Sequence, residues 1–166
     1  DVVLGGSGGD MIDAGTDTSR DVVLGDNGYA LFNTAEVLVE VASTDPSVGG
    51  NDSITTGDGP DVVFGGVDDD ILRTGGNDTS QDFVIGDNGT AKFEVIGGTN
   101  VLREIRTRDV EHGGDDDIFT GDGPDFVFGG SDDDNIDTGT DTTMPPSHGL
   151  GERNPALGVR GYRATT

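Results

Sequence analysis

The sequence predicts an all-β fold made of very short strands joined by tight turns. A turn rich in glycine and aspartate recurs along the chain, and a three-residue apolar segment follows each turn. The stretch 57–70 (GDGPDVVFGGVDDD) returns almost unchanged at 121–134, and a third copy opens the chain at 1–10. Successive apolar centres such as Val63 and Leu72 are nine residues apart. This step is too short for a helical repeat and suits one strand plus one turn.

The composition requires an explanation of how such an acidic chain folds. Its 166 residues include 33 Asp and Glu against 9 Lys and Arg, and the net charge is −24. With only 31% hydrophobic residues, composition alone favours disorder. The acids are periodic, however, so the chain can fold if cations neutralise them. The same charge argues against binding nucleic acid, whose phosphates would be repelled.

Cysteine and long apolar segments are both missing from the sequence. Without cysteine there are neither disulfides nor thiolate metal sites. No apolar run approaches the roughly 20 residues of a membrane span, and no signal peptide is evident. Because the chain begins inside a repeat, we expect it to be a processed chain or a fragment.

A longer repeat contains the nonapeptides. Asp1, Asp61 and Asp125 are equivalent, 60 and 64 residues apart. Within this repeat, residues 21–28 (DVVLGDNG) match residues 82–89 (DFVIGDNG). Two steps exceed nine residues because residues 16–20 and 77–81 enlarge a turn.

These units resemble the calcium-binding nonapeptide G-G-x-G-x-D-x-U-x of the repeats-in-toxin (hemolysin-type) family. From Gly57 onward, Asp61 stands at the aspartate position and Val63 at the apolar position U; in the next unit, Asp70 and Leu72 do so. The resemblance covers roughly two thirds of the chain. It implies calcium in the turns, a parallel β-roll with two nonapeptides per coil, and a bacterial protein exported by type I secretion.

The residue types fit that chemistry. Calcium prefers about six to eight hard oxygens from carboxylates and carbonyls, and glycine lets a turn direct several carbonyls inward. The fourth-position glycine is replaced by Asp68 and Asp132, which predicts strained or differently liganded turns. The predicted ligands are Asp1, Asp10, Asp21, Asp52, Asp61, Asp70, Asp82, Asp116, Asp125, Asp134, Gly57, Gly59, Gly65, Gly121, Gly123 and Gly129.

Stacked coils would place aspartates above one another, one strand spacing apart. On one edge this pairs Asp52 with Asp70 and Asp116 with Asp134. On the opposite edge it pairs Asp61 with Asp82 and Asp1 with Asp21. Each pair would hold one ion between coils; the alternative is that these are solvated Asp-Gly turns without a metal.

The two edges feed different strands. Strands such as Val62–Phe64 are apolar on both faces, whereas Ser53–Thr55 is half polar. A parallel sheet that is apolar on both faces is buried on both, so one outer face requires a cover. Residues 29–45 and 90–108 alternate like antiparallel hairpins and are predicted to supply it. We expect the arginines of the second hairpin, at positions 103, 106 and 108, to pair with the acidic body.

The chain therefore divides into a repeat body, 1–142, and a basic tail, 143–166. The tail contains proline and glycine but no nonapeptide. It is either a flexible end or a strand that pairs with a neighbour's sheet edge. Because a repeat stack without polar caps exposes adhesive ends, we expect association head to tail or with neighbouring repeats.

No catalytic constellation is evident, and we expect no enzymatic activity. The only histidines, His112 and His148, lack a serine or cysteine partner in a nucleophile motif. The leading hypothesis is an extracellular, structural calcium-binding protein that folds on Ca²⁺ within a surface adhesin or self-assembled fibre. The alternative is a calcium-dependent secretion or chaperone segment of a type I-secreted enzyme or toxin. A ligand- or ice-binding solenoid would need a flat threonine array, and the threonines stand mostly in turns.

Overall fold

The computed structural model describes residues 1–76 and 79–139, so the expectations for the tail at 143–166 lie outside the described residues. The predicted all-β class is confirmed, since the described residues form strands and no helix. They accordingly contain no helix long and apolar enough to cross a membrane. The strands are β1 Val2–Leu4, β2 Met11–Asp13, β3 Val22–Leu24, β4 Gly28–Phe32, β5 Leu38–Ser43, β6 Ser53–Thr55, β7 Val62–Phe64, β8 Ile71–Arg73, β9 Phe83–Ile85, β10 Gly89–Ile96, β11 Thr99–Thr107, β12 Asp117–Phe119, β13 Phe126–Phe128 and β14 Asn135–Asp137.

The strands form two parallel sheets and one antiparallel sheet. Sheet A has the order β1-β3-β7-β9-β13, and sheet B has the order β2-β6-β8-β12-β14. The chain alternates between these two sheets, except that a hairpin follows each of the sheet A strands β3 and β9 before the chain enters sheet B. Equivalent residues stand in register: Val63 is paired with Val23 on one side and with Val84 on the other.

Sheet C consists of two hairpins in the order β4-β5-β10-β11. They occupy the segments 29–45 and 90–108, each first strand beginning one residue earlier, at Gly28 and Gly89. The hairpins lie antiparallel to each other through β5 and β10, where Ala91 pairs with Val41. Both are inserted where the chain would otherwise pass directly from sheet A to sheet B.

Sheet A lies between the other two sheets because its side chains alternate between two cores. The central residue of each strand, such as Val63, packs toward sheet B with Ile54 and Leu72. The flanking residues, such as Val62 and Phe64, join the hairpin side chains of sheet C in a second core. The strand β7 is consequently buried at all three positions, whereas β8 of sheet B is buried only at its centre.

The hairpins cover only the middle of sheet A. Strands β3, β7 and β9 contribute to the core shared with sheet C. On the outer strand β13, Phe126 and Phe128 remain 49% and 38% exposed. The expectation of a covered face therefore holds for the three central strands but not for the outer strands β1 and β13 within the described residues.

The arginines of the second hairpin find partners inside sheet C. Arg103 lies 3.2 Å from Glu94 on the neighbouring strand, and Arg106 lies 3.0 Å from Glu104 on its own strand. Both glutamates belong to the acidic body 1–142, as expected, although they lie in the hairpins and not in the turns. Cross-strand neighbours on an antiparallel ladder lie close together, which accounts for the pair of Arg103 and Glu94.

Candidate metal centre

The turns between sheets A and B lie along two edges of the stack. We call the turns leading from A to B the glycine edge, because each starts with a glycine and ends with an aspartate: Gly5 and Asp10, Gly25 and Asp52, Gly65 and Asp70, Gly86 and Asp116, Gly129 and Asp134. We call the turns leading from B to A the threonine edge, because most start with threonine; the residues are Ala14 and Asp21, Thr56 and Asp61, Thr74 and Asp82, Thr120 and Asp125. The inserted hairpins interrupt two turns of the glycine edge.

The aspartates of the glycine edge form a hydrogen-bonded ladder. In each step, the backbone N–H of one aspartate donates to Oδ1 of the next aspartate along the same edge. The N–H groups of Asp10 and Asp52 donate to Asp52 and Asp70 over 2.7 Å each. The N–H groups of Asp70 and Asp116 donate to Asp116 and Asp134 over 2.9 and 3.1 Å. One carboxylate oxygen of each residue is thus used to join coils.

The threonine edge carries a second ladder of the same kind. Asp21 N–H donates to Asp61 Oδ1 over 2.9 Å, and Asp61 N–H to Asp82 Oδ1 over 2.9 Å. Asp82 N–H donates to Asp125 Oδ1 over 3.0 Å, and the Asp1 amino group contacts Asp21 Oδ1. All four aspartate pairs expected from the sequence are therefore adjacent. Their role as metal ligands remains a prediction.

The second carboxylate oxygen lacks a hydrogen-bond partner along the whole glycine edge. The side chains of Asp52, Asp70, Asp116 and Asp134 are 1–2% exposed, and the Oδ2 atom of each has no hydrogen-bond partner. The same holds for Oδ2 of the half-buried Asp10. Buried polar atoms in proteins are almost always hydrogen-bonded, and an uncompensated buried charge costs several kcal/mol. A row of such oxygens is therefore a candidate site for cations.

Glycine makes room for these oxygens. A Cβ atom built on Gly65 would lie less than 3.0 Å from both Asp70 Oδ2 and the carbonyl oxygen of Gly86. Gly25 and Gly86 likewise leave no room for a Cβ atom. Its place is taken by the Oδ2 atom of the aspartate in the same turn and by the carbonyl oxygen of the next glycine along this edge. The backbone of Gly65 does not lie in the left-handed region, so the glycine is needed for space alone. Each step thus brings a carboxylate oxygen and a carbonyl oxygen to one small cradle.

Burial raises the pKa of these aspartates far above the ordinary value. The pKa is about 9 for Asp70 and about 8 for Asp116, chiefly because burial penalises the charged form. It is about 7 for Asp134 and about 6 for Asp52 for the same reason. The N–H of the preceding ladder aspartate opposes each rise, whereas neighbouring carboxylates add to it. Without a cation, the ladder therefore resists ionisation at neutral pH.

The donors fit a hard cation such as calcium. Carboxylate and carbonyl oxygens are its preferred ligands. Within residues 1–76 and 79–139, no three His, Cys, Asp or Glu side chains converge as a metal-binding group. A bound calcium would therefore take most of its ligands from backbone carbonyls, with one or two ladder carboxylates.

The remaining predicted glycines lie on both edges. Gly57, Gly59, Gly121 and Gly123 have φ values of 83°, 127°, 75° and 152° in threonine-edge turns, and Gly129 repeats the position of Gly65. The prediction of strained turns at the two substituted positions is confirmed. Asp68 and Asp132 adopt φ values of 70° and 65°. These lie in the left-handed region, where a residue with a Cβ atom is strained and glycine is not.

Two buried aspartates were missed by the sequence reasoning. Asp26 accepts hydrogen bonds from Gly50 N–H over 3.2 Å and from Val67 N–H over 2.6 Å. Asp87 accepts equivalent bonds from Gly114 N–H and from Ser131 N–H and Oγ. Each of these aspartates links the segment that follows a hairpin to the next turn along the glycine edge. The repeated GDNG segment at both positions was the available signal.

No protein-family model, curated protein or solved structure matches this chain. Function must therefore be inferred from the geometry of the two edges. The most informative feature is the row of buried Oδ2 atoms on the glycine edge, all but that of Asp134 beside a backbone carbonyl oxygen.

Proposed function

We propose that this chain is an extracellular structural repeat protein that folds on binding calcium. In this proposal the parallel strands form a β-roll with two inserted antiparallel hairpins. The observation that carries the proposal is the set of buried glycine-edge Oδ2 atoms without a hydrogen-bond partner. Such atoms are stable next to a cation and costly without one.

The ladder residues prepare the site. Each aspartate receives an N–H on Oδ1 from the preceding coil, which fixes the orientation of the carboxylate. Its Oδ2 is then held toward the carbonyl of the next coil, as for Asp70 and Gly86. Calcium, when bound, supplies the positive charge that neutralises these oxygens. The hydrogen bonds between coils and the bound charge then stabilise the same stack.

Folding is coupled to calcium by electrostatics. With a net charge of −24, the metal-free chain repels itself, and the buried carboxylates add the cost of desolvation. Because a preformed site is absent from the unfolded chain, the free energy of binding adds to the free energy of folding. Sites of extracellular modules are typically matched to calcium near about 10⁻⁴–10⁻³ M. The chain would accordingly stay open where calcium is low and fold after export from a bacterium.

The self-association expected from the sequence belongs to the same proposal. The outer strands of sheet A expose apolar side chains: Val2 and Leu4 of β1 are 46% and 44% exposed, comparable to Phe126 and Phe128 of β13. Parallel pairing of β13 in one copy with β1 of another copy, or of a neighbouring repeat, would bury both sets. This arrangement suits a component of an adhesin or fibre.

A calcium titration of the chelator-treated chain tests the proposal. Circular dichroism should report a disordered chain in chelator, a β signal that grows with calcium, and its loss when chelator is restored. Magnesium at equal concentration should be much less effective, because it requires stricter geometry and retains its waters. A β signal that is the same in chelator and in calcium would refute the proposal.

A further inference from the structure

The two edges differ in how their oxygens are satisfied. We propose that cations bind along the glycine edge but not at Asp82 and Asp125 of the threonine edge, because side-chain donors of the protein already occupy the corresponding positions at these two residues. This inference rests on the proposed calcium function. It concerns which of two similar ladders takes the ions.

Threonine hydroxyls replace the missing partner at two of the four threonine-edge aspartates. Thr74 Oγ1 donates to Oδ2 of Asp82 over 2.8 Å, and Thr120 Oγ1 donates to Oδ2 of Asp125 over 2.7 Å. Both threonines are completely buried. The atom that has no partner on the glycine edge therefore has a fixed donor here.

Backbone carbonyls on the threonine edge are also supplied with donors. Arg20 Nε donates to the Pro60 carbonyl over 3.1 Å, and Gln81 Nε2 donates to the Pro124 carbonyl over 2.8 Å. The enlarged turns that contain Arg20 and Gln81 reach the next coil in both cases. Arg20 also brings a permanent positive charge, which the nearby Asp61 carboxylate favours. The protein thus provides there the charge and hydrogen bonds that a metal would otherwise provide.

A single sequence position decides between the two arrangements. The first residue of successive nonapeptides alternates Thr56, Gly65, Thr74, and later Thr120, Gly129, always nine residues apart. Glycine leaves the space into which the aspartate Oδ2 and a carbonyl project. Threonine fills that space with its Cβ and offers a hydroxyl as donor. Thr56 instead donates to the Thr74 carbonyl over 3.3 Å, so the alternation predicts a row of ions on the glycine edge and excludes ions at Asp82 and Asp125.

Counting bound ions in paired variants tests this inference. We would measure calcium per chain by equilibrium dialysis and elemental analysis at saturating calcium. On the glycine edge, Asp70→Asn and Asp116→Asn should each lower the ion count. On the threonine edge, Asp82→Asn and Asp125→Asn should leave it unchanged. Equal losses from both edges would overturn the one-sided arrangement while preserving the calcium function, whereas a wild-type chain that binds no calcium would overturn both.

A gain-of-site variant provides a second, independent measurement. Thr120→Gly removes both the hydroxyl and the Cβ, and should raise the ion count by opening a cradle like that of Gly129. Thr120→Ser keeps the donor and should leave the ion count at the wild-type value. If Thr120→Gly binds no more calcium than Thr120→Ser while retaining the wild-type circular dichroism spectrum, the role assigned to threonine is wrong.

Discussion

Replacing Asp70 by asparagine should change stability in opposite directions with and without calcium. Asp70 is 1% exposed, its Oδ1 accepts the Asp52 N–H over 2.7 Å, and its Oδ2 has no hydrogen-bond partner. Asparagine has almost the same shape, keeps the Oδ1 acceptor and removes the charge. Its Nδ2 would stand close to the Gly86 carbonyl, which can accept a hydrogen bond from it.

The magnitude follows from the pKa of Asp70. Burial raises it from 3.8 to about 9, so its contribution to stability is present below pH 3.8 and is lost as the pH rises toward 9. At pH 7 the lost free energy of unfolding is about 4 kcal/mol, at roughly 1.4 kcal/mol per pKa unit. Asparagine does not titrate. The calcium-free variant should therefore gain up to about 4 kcal/mol.

Circular dichroism and urea unfolding at pH 7 measure the two effects. In chelator, where the wild type is expected to be disordered, Asp70→Asn should show a larger β signal than the wild type. In millimolar calcium it should unfold at lower urea than the wild type, because a ligand has been lost. Asp109→Asn is the matched control, since it removes one exposed charge and should change little in either condition. A calcium-free Asp70→Asn variant less stable than the wild type would refute the view that this carboxylate is uncompensated.

Further predictions concern pH, space, backbone strain and assembly. In chelator the chain should be most folded near pH 4 and should lose its β signal between pH 4 and 9, because the pKa values of four glycine-edge aspartates are raised; circular dichroism in chelator across this range measures it, and a flat profile would contradict it. Gly65→Ala should lower the free energy of unfolding by about 1–3 kcal/mol and weaken calcium binding, because its Cβ collides with the Gly86 carbonyl. An unchanged urea midpoint would show that the surrounding backbone moves to make room for the methyl group. Asp68→Gly should stabilise the fold by about 0.5–1 kcal/mol, since glycine relieves the left-handed strain at some cost in entropy; a lower urea midpoint would disagree. Phe126→Glu should reduce the sedimentation coefficient of the calcium-loaded assembly by charging the exposed outer strand, and an unchanged value would exclude β13 from the contact.

Local periodicity was sufficient to predict the strands and the edge residues. The nine-residue step located the centres of strands such as β7 and β8, and the contrast between VVF and SIT identified the sheet buried on both faces. Side-chain alternation depends on neighbouring residues only. The strained backbone at Asp68 likewise followed from a local comparison with the glycine of the repeat.

Contacts across the inserted hairpins required the tertiary structure. Asp52 and Asp70 were paired from their 18-residue spacing, but Asp70 and Asp116 are joined across 46 residues and were not paired from the sequence. The hairpins leave the stack and return to it, so separation along the chain no longer measures distance between coils. The extent of the hairpin cover was also undetermined, because it depends on how widely sheet C spreads over sheet A.

The sequence by itself determined which residues are acidic and where they turn the chain, and it predicts calcium as the cation they bind. Only the tertiary structure distinguished the two edges, which carry similar aspartate ladders. The contact of the Thr120 hydroxyl with Asp125 lies within one turn, whereas the side chains of Arg20 and Gln81 reach carbonyls some 40 residues further along the chain. A hydrogen bond forms only when donor and acceptor come within about 3 Å. For Arg20 and Gln81 that proximity is produced by the side-by-side pairing of distant strands, which no local pattern of residues specifies.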